Sequence, residues 1–221
     1  MTSTSRREAL RRLSLAGLMA PGLAPAWLAA QTSPPQAHAT GIRHTRGKVE
    51  ISGRPSEVGM PVSPGDTVST GADGEVIYVI GNDAFLQRGA STIEFSATPA
   101  AAFLRVVTGR LLSVFGKAER RIITPTATIG IRGTGCYIET EAHHVYFCLC
   151  YGSALVIPNA APDHFELLTT RHHDRPLFIR DRGDLPLLAE APVVNHSDAE
   201  LERLERLVGR RPPFYAERST Y

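Results

Sequence analysis

Short apolar runs separated by turn residues occupy the chain from Gly47 to about Ile157. The runs are four to nine residues long and rich in Val, Ile, Phe, Tyr and Leu, and groups of Gly, Asp and Asn separate them. This pattern is typical of β-strands joined by tight turns, and the period of an amphipathic helix is missing from it. It predicts an all-β domain of many short strands, built either as a compact β-sandwich or barrel or as a short β-solenoid.

The segment Glu75–Ile80 indicates how deeply such strands would be buried. Val76 and Tyr78 fall on one face of the predicted strand, and Ile77 and Val79 fall on the other, because side chains alternate along a strand. Apolar residues on both faces indicate a strand that is covered on both sides.

Residues 158–221 form a predicted C-terminal extension that is less regular and contains many prolines. One helix is predicted near its end. Ser197 and Glu200 have the spacing of a capping box, in which two side chains satisfy free backbone N–H groups at the start of a helix. The predicted helix covers residues 198–210, and we expect its apolar stripe to dock on the β domain. The stripe consists of Leu201, Leu204, Leu207 and Val208.

The first 30 residues predict an export signal. Residues 1–12 are basic, residues 13–30 carry no charge, and small residues at Ala24–Ala26 and Ala29–Ala30 match the pattern that signal peptidase cleaves. Two prolines and two glycines within residues 13–30 make a poor membrane span, so we predict no membrane span in the mature chain. Residues 31–46 are interpreted as a linker that precedes the β domain.

The net charge of the predicted mature chain argues against binding to nucleic acid or to an anionic membrane. The whole chain has a formal net charge of +2, and removal of residues 1–30 takes away four arginines and one glutamate, which leaves about −1. A mature chain with this charge lacks the electrostatic basis for binding nucleic acid or an anionic membrane.

Several motifs occur in a fixed order between residues 47 and 157. They include Pro64-Gly65-Asp66-x-Val68-x-Thr70-Gly71 and end with the run Thr124–Thr134, which reads TPTATIGIRGT. Together they resemble the FecR domain, named for the periplasmic part of a ferric citrate sensor. The resemblance implies a non-enzymatic periplasmic domain that senses or binds a ligand and signals by contact with a protein of the periplasm or envelope.

A second resemblance concerns export. The segment Ser5–Arg11 resembles a twin-arginine translocation signal, which implies export of a chain that is already folded. Sensor members of the FecR family carry a cytoplasmic segment that acts on a sigma factor. This chain has a signal sequence in that place, so we do not expect that mechanism of it.

Common enzyme motifs are missing from the sequence. It contains no Gly-x-Ser-x-Gly elbow, no Gly-x-x-x-x-Gly-Lys-Ser/Thr phosphate loop and no His-Glu-x-x-His metal motif. The glycines at 130, 133 and 135 have the wrong spacing for a dinucleotide loop. The sequence therefore predicts a protein that is not an enzyme.

Arg132 lies between Gly130 and Gly133 in the TPTATIGIRGT run. Glycines allow positive φ angles or a close approach of the backbone. The guanidinium could clamp backbone carbonyls or a carboxylate, or it could bind an anionic ligand or partner. We favour the structural clamp, because carbonyl groups are always present at a turn.

All three cysteines lie in one predicted hairpin. Its strands are 135–140 and 144–151, and a three-residue loop joins them. If Thr140 pairs with His144, all three cysteines point to the same face of the sheet. A shift of one residue in this register would separate them.

Three states of these cysteines remain open. Cys136 and Cys148 would face each other at a distance that a disulfide can span, and an oxidising periplasm favours this bond. Alternatively Cys136, Cys148 and Cys150, with one imidazole from His172 or His173, would hold zinc or copper in a tetrahedral site. The third state is three buried thiols, since free cysteine is among the most buried residue types.

Overall fold

The computed structural model describes residues 40–98, 103–181 and 186–215, so the predicted signal 1–30 lies outside the described residues. In these ranges the chain forms many short strands and one helix, α1 (Asp198–Leu207). In chain order the strands are β1 (Gly41–Arg46), β2 (Val49–Ile51), β3 (Arg54–Pro55), β4 (Thr67–Thr70), β5 (Glu75–Ile80), β6 (Asp83–Gln87), β7 (Thr92–Phe95), β8 (Leu104–Val114), β9 (Glu119–Ile123), β10 (Ala127–Thr140), β11 (His144–Pro158), β12 (Glu166–Thr170), β13 (Leu177–Arg180) and β14 (Leu188–Glu190).

The all-β class predicted from the sequence is confirmed. The strands belong to one 14-stranded mixed sheet, whose main path runs β14-β13-β11-β10-β9-β8-β7-β4-β2-β3. Strand β12 pairs with β11, and β1, β5 and β6 form a branch that joins the path at β8. Strands β8 and β9 run parallel, whereas the long strands β10 and β11 form an antiparallel ribbon.

Side chains from alternating positions enter two separate apolar cores. In β5, Val76 and Tyr78 enter the first core and Ile77 and Val79 enter the second, so the predicted burial on both faces is confirmed. Aromatic rings in stacked, tilted and edge-to-face contact fill part of the first core. These rings are Tyr78, Phe85, Phe95, Phe103 and Phe115.

The boundaries of the β domain differ from those drawn on the sequence. Strand β1 pairs with β5, so residues 41–46 belong to the sheet and not to the predicted linker 31–46. Strands β12 and β13 pair with β11, and β14 pairs with β13, so the sheet continues beyond the predicted boundary at residue 157. The composition of this stretch shows many prolines but does not show which segments form strands. Pairing with strands that are distant in the sequence decides which segments join the sheet.

Helix α1 begins at the predicted capping box. The Ser197 side chain accepts a hydrogen bond from the Glu200 backbone N–H, and the Glu200 carboxylate accepts one from the Ser197 backbone N–H at 2.9 Å. The helix ends at Leu207, earlier than the predicted residue 210, and its apolar stripe packs on the second core. Within the described ranges the structure contains no helix long and apolar enough to cross a membrane.

Candidate metal centre

The ribbon of β10 and β11 has a different register from the predicted hairpin. Thr140 pairs with Val145 instead of His144. Four residues, 141–144, therefore separate the two paired residues, and a 2.9 Å hydrogen bond from the Glu141 N–H to the His144 carbonyl closes the turn. One additional residue in the connection moves every side chain of the second strand to the opposite face relative to the prediction.

This register separates the three cysteines. Cys136 pairs with Leu149 and enters the first core, whereas Cys148 pairs with Tyr137 and enters the second. Cys150 joins Cys148 in the second core, and all three cysteines are buried free thiols. The predicted Cys136–Cys148 disulfide and the place of Cys136 in a metal site both rested on the wrong register, and the structure supports neither.

Four metal-ligating side chains converge at the edge of the second core. They are Cys148, Cys150, His173 and His196, called the inner set below, and their ligand atoms lie within 4.8 Å of one another. The His173 Nδ1 lies 3.3 Å from the Cys148 Sγ and 3.1 Å from the His196 Nε2. The structure thus brings three of the predicted ligands together and adds a histidine that was not predicted.

Each histidine of the inner set has one ring nitrogen engaged by the protein. The His196 Nδ1 lies 2.7 Å from the Val194 carbonyl oxygen, to which it donates, so its Nε2 lone pair faces the sulfurs. The His173 Nε2 lies 3.1 Å from the Asp198 carboxylate, which leaves its Nδ1 facing the sulfurs. Histidines that bind metals ordinarily donate the other N–H to a carbonyl or carboxylate, because this partner fixes the tautomer and orients the ring.

The spacing of the inner set fits a tetrahedral centre. Zinc bonds of about 2.3 Å to sulfur and about 2.0–2.1 Å to nitrogen place tetrahedral ligand atoms about 3.3–3.8 Å apart. The separations of 3.3 and 3.1 Å at the His173 Nδ1 lie close to the lower end of this range. The ligand atoms of the other pairs lie within 4.8 Å of each other. Their separations need to shorten by no more than about 1 Å for all four atoms to bind one ion. Two thiolates and two imidazoles suit Zn²⁺, and copper(I) favours the same soft sulfur donors.

Three chain segments supply the inner set. Cys148 and Cys150 point the same way from β11 because they are two residues apart. His173 lies between β12 and β13 with a φ of 52°, and its backbone N–H donates to the Cys150 carbonyl at 2.9 Å. Asn195, directly before His196, has a φ of 61°. Left-handed backbone at residues other than glycine is uncommon and concentrates at functional sites, and here it places both histidines.

The electrostatics of the inner set prepare one thiol for metal binding. Interaction with the Cys150 thiol, followed by the contacts with His173 and His196, lowers the pKa of Cys148 below its usual value although burial opposes ionisation. Burial raises the pKa of Cys150. Burial acts to lower the pKa of His173, but Cys148 and Asp198 raise it above its usual value. The surroundings of Cys148 therefore favour its thiolate form, and Cys150 must release a proton to bind a metal.

A second group of ligating atoms lies beside the first and shares one histidine with it. This outer set consists of His172, His173 and Asp198. The Asp198 Oδ1 lies 2.8 Å from the His172 Nε2 and 3.1 Å from the His173 Nε2. Burial acts to raise the pKa of Asp198, but His172 and His173 hold it below its usual value. The predicted ligand His172 therefore lies next to the inner set and not in it.

Cys148, His173 and Asp198 also have the order of nucleophile, base and orienting acid found in thiol enzymes. The Cys148 side chain is fully buried, so a substrate cannot reach its sulfur in this conformation. The inner set instead supplies all four ligands of a tetrahedral shell, which is typical of metal sites without a catalytic role.

Arg132 contacts the backbone at its own turn. Its Nε donates to the Lys117 carbonyl at 3.2 Å, and the side chain is exposed. Gly133 next to it has a φ of 60°, and a Cβ there would lie 3.7 Å from the Lys117 Cα. This carbonyl contact is of the kind that a structural clamp makes.

His196 was missed on the sequence because its signal is indirect. It stands 23 positions after His173 and directly before the capping box that starts α1. The one sequence feature that could have indicated His196 as a ligand is its position directly before the N-cap Ser197, because a helix cap holds the residue before it in a fixed position.

Comparisons with known proteins give a distant similarity of fold. No family model matches this sequence, and no curated protein matches it. Two crystal structures of a candidate anti-sigma factor from Parabacteroides distasonis are similar in fold, with a TM-score of 0.45 each and identities of 8% and 7%. Each match spans 57% of this chain and 58% of the neighbour. A likeness of this size does not assign a function.

Proposed function

We propose that this protein is an exported, non-enzymatic sensing module whose β domain binds one zinc or copper(I) ion at the inner set. One observation carries the proposal: two buried sulfurs and two imidazole nitrogens with engaged partner nitrogens converge on one point. A thiolate is costly to bury, and a bound cation compensates its charge.

The sensing role and the location rest on the sequence. The ordered motifs between residues 47 and 157 support a FecR-like domain that responds to a ligand and contacts a periplasmic or envelope protein. The twin-arginine resemblance of Ser5–Arg11 is compatible with a metal centre, because a chain that folds before export arrives with the ligands of the inner set already assembled. In this proposal the ion is the sensed ligand, and the protein partner responds to its presence.

Metal analysis of the protein purified from its export route tests the proposal. We expect one zinc or copper ion per chain after gel filtration. Replacement by cobalt should give thiolate-to-cobalt charge-transfer absorption, because the inner set contains two sulfurs. Cys148→Ser and His196→Gln should each lose the ion that survives gel filtration.

Cys136→Ala is the matched control, because Cys136 is equally buried but lies in the first core. This variant should keep its ion. A wild-type protein that binds no ion in stoichiometric amount, or a Cys148→Ser variant that keeps it, would contradict the proposed metal centre.

A further inference from the structure

The outer set lies between solvent and the buried sulfurs. The His172 side chain is 40% exposed, Asp198 is 19% exposed and His173 is 11% exposed. Cys148 and Cys150 are 0% exposed. A hydrated ion can therefore reach the outer set in this conformation, whereas the two sulfurs are closed to it.

His173 is common to both sets and presents a different ring nitrogen to each. Its Nε2 faces Asp198 at 3.1 Å, and its Nδ1 faces the Cys148 Sγ at 3.3 Å and the His196 Nε2 at 3.1 Å. A metal bound at Nε2 leaves the ring proton on Nδ1, next to the sulfur. A metal bound at Nδ1 leaves the proton on Nε2, next to the carboxylate. Both tautomers thus have a hydrogen-bond acceptor in place.

We propose that the outer set is a loading site, which captures a divalent zinc ion from solvent and passes it to the inner set through His173. This inference rests on the proposed metal-binding function. Two imidazole nitrogens and one carboxylate oxygen are zinc ligands, and they leave a fourth position for water. The inner set replaces that water with protein ligands and adds two sulfurs, so the ion is held more tightly after transfer.

The transfer is a ligand exchange in which no electron moves, since Zn²⁺ has no redox chemistry in proteins. The ion leaves the His173 Nε2, which takes up a proton, and binds the Nδ1, which releases one, so the ring stays neutral. Each protonated cysteine releases its proton to solvent as its sulfur binds. The ion gains the sulfurs and the His196 Nε2 and gives up its water and the remaining outer ligands.

Loading kinetics of the metal-free full-length mature chain test this proposal, with Co²⁺ as the probe because its thiolate charge-transfer band reports arrival at the sulfurs. His172→Gln should slow the appearance of this band by about tenfold, the lower end of the effect of removing one supporting group from a metal site. Its final cobalt stoichiometry and its dissociation constant, measured by chelator competition, should equal those of the wild type.

His164→Gln is the matched control, because His164 is an exposed histidine outside both sets. It should load at the wild-type rate. Loading of His172→Gln at the wild-type rate overturns the loading site but leaves the proposed function standing. A loss of affinity equal to the loss of rate overturns it as well, because His172 then only supports the inner set. A wild-type chain that binds no ion overturns both proposals.

A second variant isolates the outer set. Cys148→Ser combined with Cys150→Ser removes the sulfurs and keeps His172, His173 and Asp198. This double variant should bind Co²⁺ weakly and reversibly, with visible absorption but no charge-transfer band. Weak binding that His172→Gln then abolishes supports the loading site, and the lack of any cobalt binding in a folded double variant overturns it.

Discussion

Asp198 connects the metal ligands to the helix. It is the first residue of α1, and its Oδ1 faces the rings of both His172 and His173. The two histidines hold its pKa below the usual value against the effect of burial, so it is a carboxylate at neutral pH. A carboxylate in this place orients His173 and increases the basicity of the nitrogen that faces the sulfurs.

Replacement of Asp198 by asparagine keeps its size and removes its charge. We expect Asp198→Asn to lower the affinity for zinc by about 10–100-fold, the usual effect of losing the carboxylate partner of a ligating histidine. Chelator competition measures this affinity, and a shift of the cobalt visible bands reports the changed ligand. Arg203→Gln removes a charge from an exposed position of the same helix without touching a ligand, so it should keep the wild-type affinity. Equal affinities in wild type and Asp198→Asn would contradict this role.

At the scale of elements, the β10–β11 ribbon is irregular where the second core meets α1. Its register shifts on both sides of Gly135, and the Tyr151 ring lies against that glycine. A Cβ on Gly135 would lie 2.4 Å from the ring. The Tyr151 hydroxyl donates to Glu205 of α1, and Glu205 also accepts from Arg210 at 2.6 Å. The absence of a side chain at Gly135 therefore leaves room for the Tyr151 ring, whose hydroxyl links β11 to α1.

Gly135→Ala should destabilise the protein because the added methyl group meets the Tyr151 ring. We expect a loss of about 1–3 kcal/mol in the free energy of unfolding, the usual cost of overpacking a buried site. Urea denaturation measures this difference. Gly130→Ala is the control in the same strand, since its Cβ would lie 3.8 Å from Leu155, an ordinary contact. If both variants lose the same stability, the Tyr151 contact is not the cause.

Local features of this fold could be predicted from the sequence, and long-range ones could not. The alternation in β5 and the capping box of α1 are set by neighbouring residues, so their patterns were sufficient. The register of β10 and β11 depended on whether three or four residues separate the first paired residues, and this single residue decided whether Cys136 shares a face with Cys148. The inner set joins three distant segments, so no local spacing identified His196 as a ligand.

At the scale of the whole molecule, the inner set joins the sheet to the segment that closes the second core. This C-terminal cover, residues 191–215, buries apolar side chains of α1 and Phe214 in that core. Polar contacts also hold it, including a 2.6 Å ion pair between Arg88 and Glu200 and a 2.6 Å hydrogen bond from Arg210 to the Asn82 carbonyl. A bound ion would add to these contacts, because His196 belongs to the cover and the cysteines belong to β11.

Metal binding should therefore protect the backbone amides of α1 from hydrogen exchange. Opening the cover separates His196 from the other three ligands, so an ion at 100 times its dissociation constant raises the free energy of opening by up to about 2.7 kcal/mol. Exchange of α1 amides should slow by up to about 100-fold, as measured by mass spectrometry with and without zinc. Peptides from β7, in the first core, serve as the internal reference, and Cys148→Ser should show no response to zinc. If a wild-type chain with one bound ion exchanges its α1 amides as fast as the metal-free chain, the ion does not hold the cover closed.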